Sequence, residues 1–275
     1  MTLLNKIILF LAITLFSAGL KAQNFYDEEH SAKFAEYLFQ SQQFDLAAQE
    51  YERLVFSNSN KINYQLNLLK SYRKSGNYPI ASKRFQDLYK DSAWFAPEPI
   101  AQEYIHLLML ENNLPQAWQF NSMNKNIPGV QQQLNLLQLS LLSKNWKQAD
   151  SISNLIQNLD PEYKSLLTDA SQMKKRYPGV ALTFSMIVPG TGKIYSGYWK
   201  DGIISLLFVA ATGWQSYRGF SKKGSESVSG WIWGSISTGF YLGNLYGSFK
   251  AAKRFNNRQN ELLHKRAESY IYSTF

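Results

Sequence analysis

Residues 68–88 run LLKSYRKSGNYPIASKRFQDL, and this stretch predicts two helices joined by a tight turn. Leu68 and Tyr72 lie four residues apart before the turn, which is helical spacing. Gly76 marks the turn, because glycine adopts the left-handed backbone angles that end a helix at little cost. Ala81 is small, as a close crossing of two helices requires.

The same pattern recurs along the chain at a spacing close to 34 residues. The apolar set of one copy and that of the next are Phe44, Ala47, Tyr51, Leu54 and Tyr78, Ala81, Phe85, Leu88. Weaker copies start 36 and 32 residues further on, at Leu114 with Ala117 and at Trp146 with Ala149. Their turn residues, and that of the first copy, are Gln42, Asn112 and Lys144. Residues 23–176 therefore predict an array of helix pairs, and the alternative is a helical bundle without a true repeat.

These positions resemble the tetratricopeptide repeat, most closely in the second copy. The resemblance implies an all-α solenoid whose concave groove binds peptides or partner proteins. Four groove-facing residues of the second repeat are Asn63, Lys70, Arg73 and Lys74. Such a cationic surface suits an acidic peptide or a free carboxylate. The alternatives are a solvated helix face, or pairing of these cations with Glu29 and Glu36 of the first repeat.

Residues 1–22 predict a secretory signal peptide. Lys6 supplies the positive charge, residues 7–16 are almost entirely apolar, and Ala22 provides a small residue before the expected cleavage. The alternative is an uncleaved anchor. Both predict that the following residues lie outside the cytoplasm.

Composition and charge exclude several classes of protein. The chain has no Cys and three His, so we expect no disulfide, no metal site and no cofactor, and nothing indicates an enzyme. Residues 23–176 carry 16 basic and 16 acidic side chains, whereas residues 177–275 carry 11 and 4. In an exported protein, the excess of basic side chains in residues 177–275 favours a membrane partner over nucleic acid.

Residues 177–255 predict a two-helix transmembrane hairpin, because two runs in this region lack charge. They cover residues 202–217 and 227–249, with Trp and Tyr near their ends. A third crossing at 178–192 is the alternative topology. Residues 256–275 predict a basic amphipathic helix at the membrane surface.

Small residues repeat along the second run. Gly239, Gly243 and Gly247 fall at every fourth position, with Asn244 beside them, and Gly230 and Gly234 form another line. Small residues let helices approach closely in lipid. We expect the first line and Asn244 to pack against the other span, or to join two copies of the chain.

The entry to the first run resembles small bacterial hairpins of the two-transmembrane-domain type. The matching residues are Pro189, Gly190, Gly192, Tyr195, Gly197 and Gly202. The resemblance implies a membrane module without indicating its function.

Together these patterns predict a non-catalytic adaptor or scaffold, anchored in the envelope of a Gram-negative-type bacterium. Its periplasmic repeats would bind a protein or peptide partner, and its hairpin would hold it at the bilayer. The alternative is a component of a membrane assembly or transport complex, in which the hairpin carries the activity and the repeats act as a spacer.

Overall fold

A computed structural model describes residues 27–90 and 92–275. The signal peptide predicted at residues 1–22 lies outside these described residues. Within them the protein is all-α, as the sequence predicts, with thirteen α-helices, two short 3-10 helices and no strand.

The α-helices follow one another through short turns. In chain order they are α1 Glu28–Gln40, α2 Phe44–Ser57, α3 Ile62–Lys74, α4 Tyr78–Tyr89, α5 Glu98–Leu110, α6 Leu114–Met123, α7 Gly129–Leu142, α8 Trp146–Ser153, α9 Pro161–Ser171, α10 Pro178–Ile187, α11 Thr191–Tyr195, α12 Trp199–Lys223 and α13 Val228–Ser273.

The chain divides into two compact units, and the boundary lies within α7. The first, here called the repeat unit, ends at Gln132, and the second, the hairpin unit, runs from Gln133 to Phe275. This boundary differs from the one expected at residue 176. The boundary falls earlier because the C-terminal half of α13 packs against α9. This contact places α8 and α9 in the hairpin unit.

The turns between paired helices share one backbone conformation. Gln42, Gly76, Asn112 and Lys144 all have positive φ, between 56° and 82°. In each turn the next amide donates to the carbonyl five residues earlier, at 2.8–2.9 Å. This is the Schellman cap that glycine favours, and three other residues adopt it here despite their side chains. The spacing of the turns thus agrees with the predicted register.

Packing in the repeat unit follows that register. Each helix from α1 to α5 contacts the next, and α3 also contacts α5, as in a helical repeat. Ala47, Ala81 and Ala117 follow their turns by the same number of residues, and all three are fully buried. The aromatic core includes Phe85, which stacks on Tyr104 with ring centroids 3.8 Å apart. The packing of the repeat unit is therefore repeat-like, as a helical repeat requires.

In the hairpin unit, α12 and the N-terminal half of α13 form an antiparallel pair. Gly219 lies beside Gly230 near one end, and the Phe208 and Phe240 rings are 5.2 Å apart further along. None of the helices that the structure describes is long and apolar enough to cross a bilayer. The two spans predicted at 202–217 and 227–249 are therefore not supported. These residues do form paired helices, but Gly, Ser and Tyr lower their mean hydropathy.

The basic tail predicted at residues 256–275 is part of α13. It belongs to a continuous helix of 46 residues, about 69 Å long at 1.5 Å per residue. Leu263, Ala267 and Ile271 are buried on one face of it. Arg266 donates to Glu162 and Asp169 of α9, and Tyr270 packs edge-on against Tyr163 at 5.0 Å. The tail is thus helical, as predicted, and one of its faces packs within the hairpin unit; its place at a membrane surface stays a prediction.

Candidate functional site

The cationic residues predicted on α3 occupy different environments. Asn63 and Lys74 are exposed at opposite ends of the helix, and Lys70 is half-buried. Arg73 is buried, with 8% of its surface exposed. Arg73 is therefore not part of an open binding surface, which corrects the expectation for this residue. Asn63, Lys70 and Lys74 remain accessible.

Arg73 forms a buried ion pair with a residue that the sequence analysis did not select. Its Nε donates to Glu103 Oε1 at 2.5 Å, and its Nη2 donates to Oε2 at 3.3 Å. Glu103 lies on α5 with 3% of its surface exposed. This two-point contact joins α3 to α5, because a planar guanidinium matches a carboxylate. Thirty residues separate the partners, so no local pattern indicates the pair.

His106 lies one turn after Glu103 on α5. Gln102 Nε2 and His106 Nε2 are 2.8 Å apart, a hydrogen bond that a neutral imidazole accepts. Burial lowers the pKa of His106 to about 3, and the nearby charges of Arg73, Lys70 and Lys74 act in the same direction. His106 is therefore uncharged at neutral pH. His106 was not selected from the sequence, although its spacing of three from Glu103 places the two on one helix face.

The surface formed by Lys70 and Lys74, here called the α3 patch, carries two cationic side chains. Burial, and then the charge of Arg73, lowers the pKa of Lys74. The first-repeat carboxylates bond elsewhere: Glu29 pairs with Lys33, and Glu36 accepts from Gln40 and Tyr51. The alternative in which those two acids pair with the α3 cations is therefore not realised.

The glycine line on α13 does not form the expected helix contact. A Cβ added to Gly239 or Gly243 would have nothing within 4 Å, so their predicted packing against α12 is wrong. Gly247 is tightly packed, but against Lys193 of α11. Asn244 is buried, and among the described residues neither polar atom of its side-chain amide has a hydrogen-bond partner.

The other line of small residues forms the close approach of α12 and α13. An added Cβ would lie 2.8 Å from the Phe220 ring at Gly230 and 3.0 Å from Ser216 Oγ at Gly234. Gly219 on α12 faces Gly230 at backbone distance. Both lines have the same spacing in the sequence, and only the placement of α12 distinguishes them.

Comparison with protein-family models, curated proteins and solved structures finds no match. The tetratricopeptide resemblance therefore remains a prediction beyond the observed repeat packing, as does the two-transmembrane-domain resemblance. In residues 27–90 and 92–275, no group of three or more His, Asp or Glu side chains is placed to hold a metal ion.

Proposed function

We propose that the protein is a membrane-associated adaptor. In this function the repeat unit binds an acidic segment of a protein partner at the α3 patch, and the hairpin unit contacts a lipid bilayer. The observation that supports it best is the distribution of side chains on the α12–α13 pair, where polar residues are buried and apolar residues are exposed.

Small and polar residues are buried along that pair, between its two helices or against α10 and α11. Those buried along its length are Gly202, Thr212, Ser216, Gly230, Asn244 and Ser248. Its exposed surface carries large apolar side chains instead: Ile203, Ile204, Leu206, Leu207, Phe208, Trp214, Tyr217, Val228, Trp231, Ile232, Trp233, Ile236, Phe240, Leu242 and Tyr246. A protein surrounded by water has the opposite arrangement, as the buried Leu107 and Leu108 of the repeat unit illustrate. A contiguous apolar surface of this extent indicates an apolar surrounding.

Cations at both ends of the pair favour lipid as that surrounding. Arg218, Lys222 and Lys223 lie at one end. At the other end Lys200 lies over Trp199, and Arg254 lies over Tyr198. Aromatic and basic residues together are typical of the level of lipid headgroups, and each basic residue near an anionic surface contributes about 1 kcal/mol.

We expect the full chain to float with liposomes, and more strongly when they contain anionic lipid. Replacing Leu207 and Ile232, both exposed on the pair, with Glu should lower the floated fraction at least tenfold, because carboxylates are costly in lipid. Phe56→Glu is the matched control, since Phe56 is 89% exposed in the repeat unit. A chain that stays dispersed without detergent and does not float would contradict lipid contact. Discrete oligomers without flotation would indicate a second copy as the occupant.

Partner binding at the α3 patch is tested by crosslinking. A photoreactive residue at Asn63 should capture a partner through an acid-rich segment. Lys70→Glu with Lys74→Glu should abolish capture, because both reverse the local charge. The control is the double variant Lys83→Glu, Lys90→Glu. It makes the same charge change at two exposed residues, one within α4 and one just after its end, and should leave capture intact. Equal capture by both double variants would exclude the α3 patch as the docking surface.

A further inference from the structure

A cleft of about 180 Å³ opens between α11, α12 and α13. Its base on α13 is bare backbone at Gly239 and Gly243, where an added Cβ would meet nothing within 4 Å. Cavities of about 150 Å³ accept a benzene ring, so this one has room for a small chemical group. Polar and apolar side chains share its lining.

Asn244 gives the cleft an unused hydrogen-bonding group. It is 3% exposed and lines the cleft, and among the described residues neither its Oδ1 nor its Nδ2 has a hydrogen-bond partner. A buried amide without a partner costs about 1–3 kcal/mol. Native structures retain such groups where they have a role, so the cleft has the character of a binding site.

Lys193 brings a positive charge to the same cleft. Its Nζ donates to Ser205 Oγ at 2.7 Å, and the Ser205 hydroxyl donates in turn to the Asp201 carbonyl. The Lys193 side chain crosses α13 at Gly247, where an added Cβ would lie 2.9 Å from Cε. Gly247 therefore makes room for Lys193. Within the described part of the chain, no carboxylate lies within ion-pairing distance of this ammonium group, which keeps two N–H donors for another acceptor.

The outer walls of the cleft are apolar. Ile204, Phe208 and Phe240 line it and are each about half exposed, so they continue into the apolar surface of the pair. An occupant that satisfies both parts of the cleft has an anionic head and an apolar tail.

We propose that the cleft binds the phosphate or carboxylate group of a membrane amphiphile. The Lys193 ammonium and the Asn244 Nδ2 donate to its oxygens, and the acyl chain lies along the two Phe rings. The choice of a lipid as the source rests on the proposed function, whereas the anion site itself does not.

The test uses the full chain in a neutral detergent, with phosphatidylglycerol as the probe and native mass spectrometry as the readout. Lys193→Met removes the charge, and Gly243→Leu fills the cleft at a position with open space. Both should weaken lipid binding at least tenfold while helicity is unchanged. Lys200→Met, which removes an exposed cation from the same unit, should leave binding within twofold.

Binding by Lys193→Met within twofold of the unmodified chain would overturn the proposal. Inorganic phosphate provides the second arm. If the unmodified chain binds inorganic phosphate but not phosphatidylglycerol, and Lys193→Met binds neither, the anion site stands and its occupant is a soluble phosphate instead of a lipid. If both cleft variants still float with liposomes, lipid contact by the apolar surface stands independently of the cleft.

Discussion

Replacing Glu103 with Gln is expected to lower the free energy of unfolding of the repeat unit by about 3–5 kcal/mol. The substitution keeps the size of the side chain but leaves the Arg73 guanidinium buried without its counter-charge. Removing one partner of a buried pair costs far more than the pair contributes, because the remaining charge has lost its hydration. Hydrogen exchange of peptides from α3 and α5 in the full chain measures this loss locally.

Two variants make that prediction specific. Arg73→Met combined with Glu103→Leu removes both charges and should recover most of the lost stability. Glu29→Gln breaks the exposed pair with Lys33 and should change protection little. If Glu103→Gln and Glu29→Gln had equal effects, the Arg73–Glu103 contact would not be a buried structural pair.

Acidification from pH 7 to pH 4 is expected to destabilise the repeat unit by about 3 kcal/mol through His106 alone. Burial lowers the pKa of this imidazole from 6.5 to about 3 in the folded chain. Below pH 6.5 the unfolded chain therefore binds a proton that the folded chain excludes. This contribution to stability is complete above about pH 6.5 and is lost as the pH falls towards 3. The charges facing the ring are those of Lys70, Arg73 and Lys74 from α3 and Glu103 from its own helix.

Urea unfolding of the full chain at several pH values, followed by exchange in α5, measures this loss. His106→Gln keeps a polar side chain there and removes the titrating group. The free energy of unfolding that this variant loses between pH 7 and pH 4 should therefore be smaller by about 3 kcal/mol than in the unmodified chain. Carboxylate titrations are common to both proteins and cancel in the difference. The same loss on acidification in both proteins would show that His106 does not titrate in this way.

Sequence reasoning succeeded where a feature is local. Gly76 was placed at a turn because it is glycine, and Gln42, Asn112 and Lys144 were placed at turns by their spacing; all four have the left-handed conformation. It failed where partners are distant. Arg73 was assigned to a groove because Glu103, thirty residues later, cannot be anticipated from a helical register.

The errors in the hairpin unit have related causes. The line through Gly243 and the line through Gly230 have equal spacing, so the sequence does not show which one faces α12. The contacts of the tail with α9 were not anticipated, because they join residues about 100 positions apart. Lys193 and Asn244 come together only when three helices assemble, so the cleft has no signature in the sequence.

The unbroken length of α13 has a mechanical consequence. A rod of about 69 Å that tilts by about 5° about one end displaces its other end by about 6 Å. The N-terminal half of this rod carries the apolar surface, and its C-terminal half is fastened to α9 by Arg266 and Tyr270. Because α13 is one continuous helix, a change in the inclination of its first half is expected to be transmitted to α9.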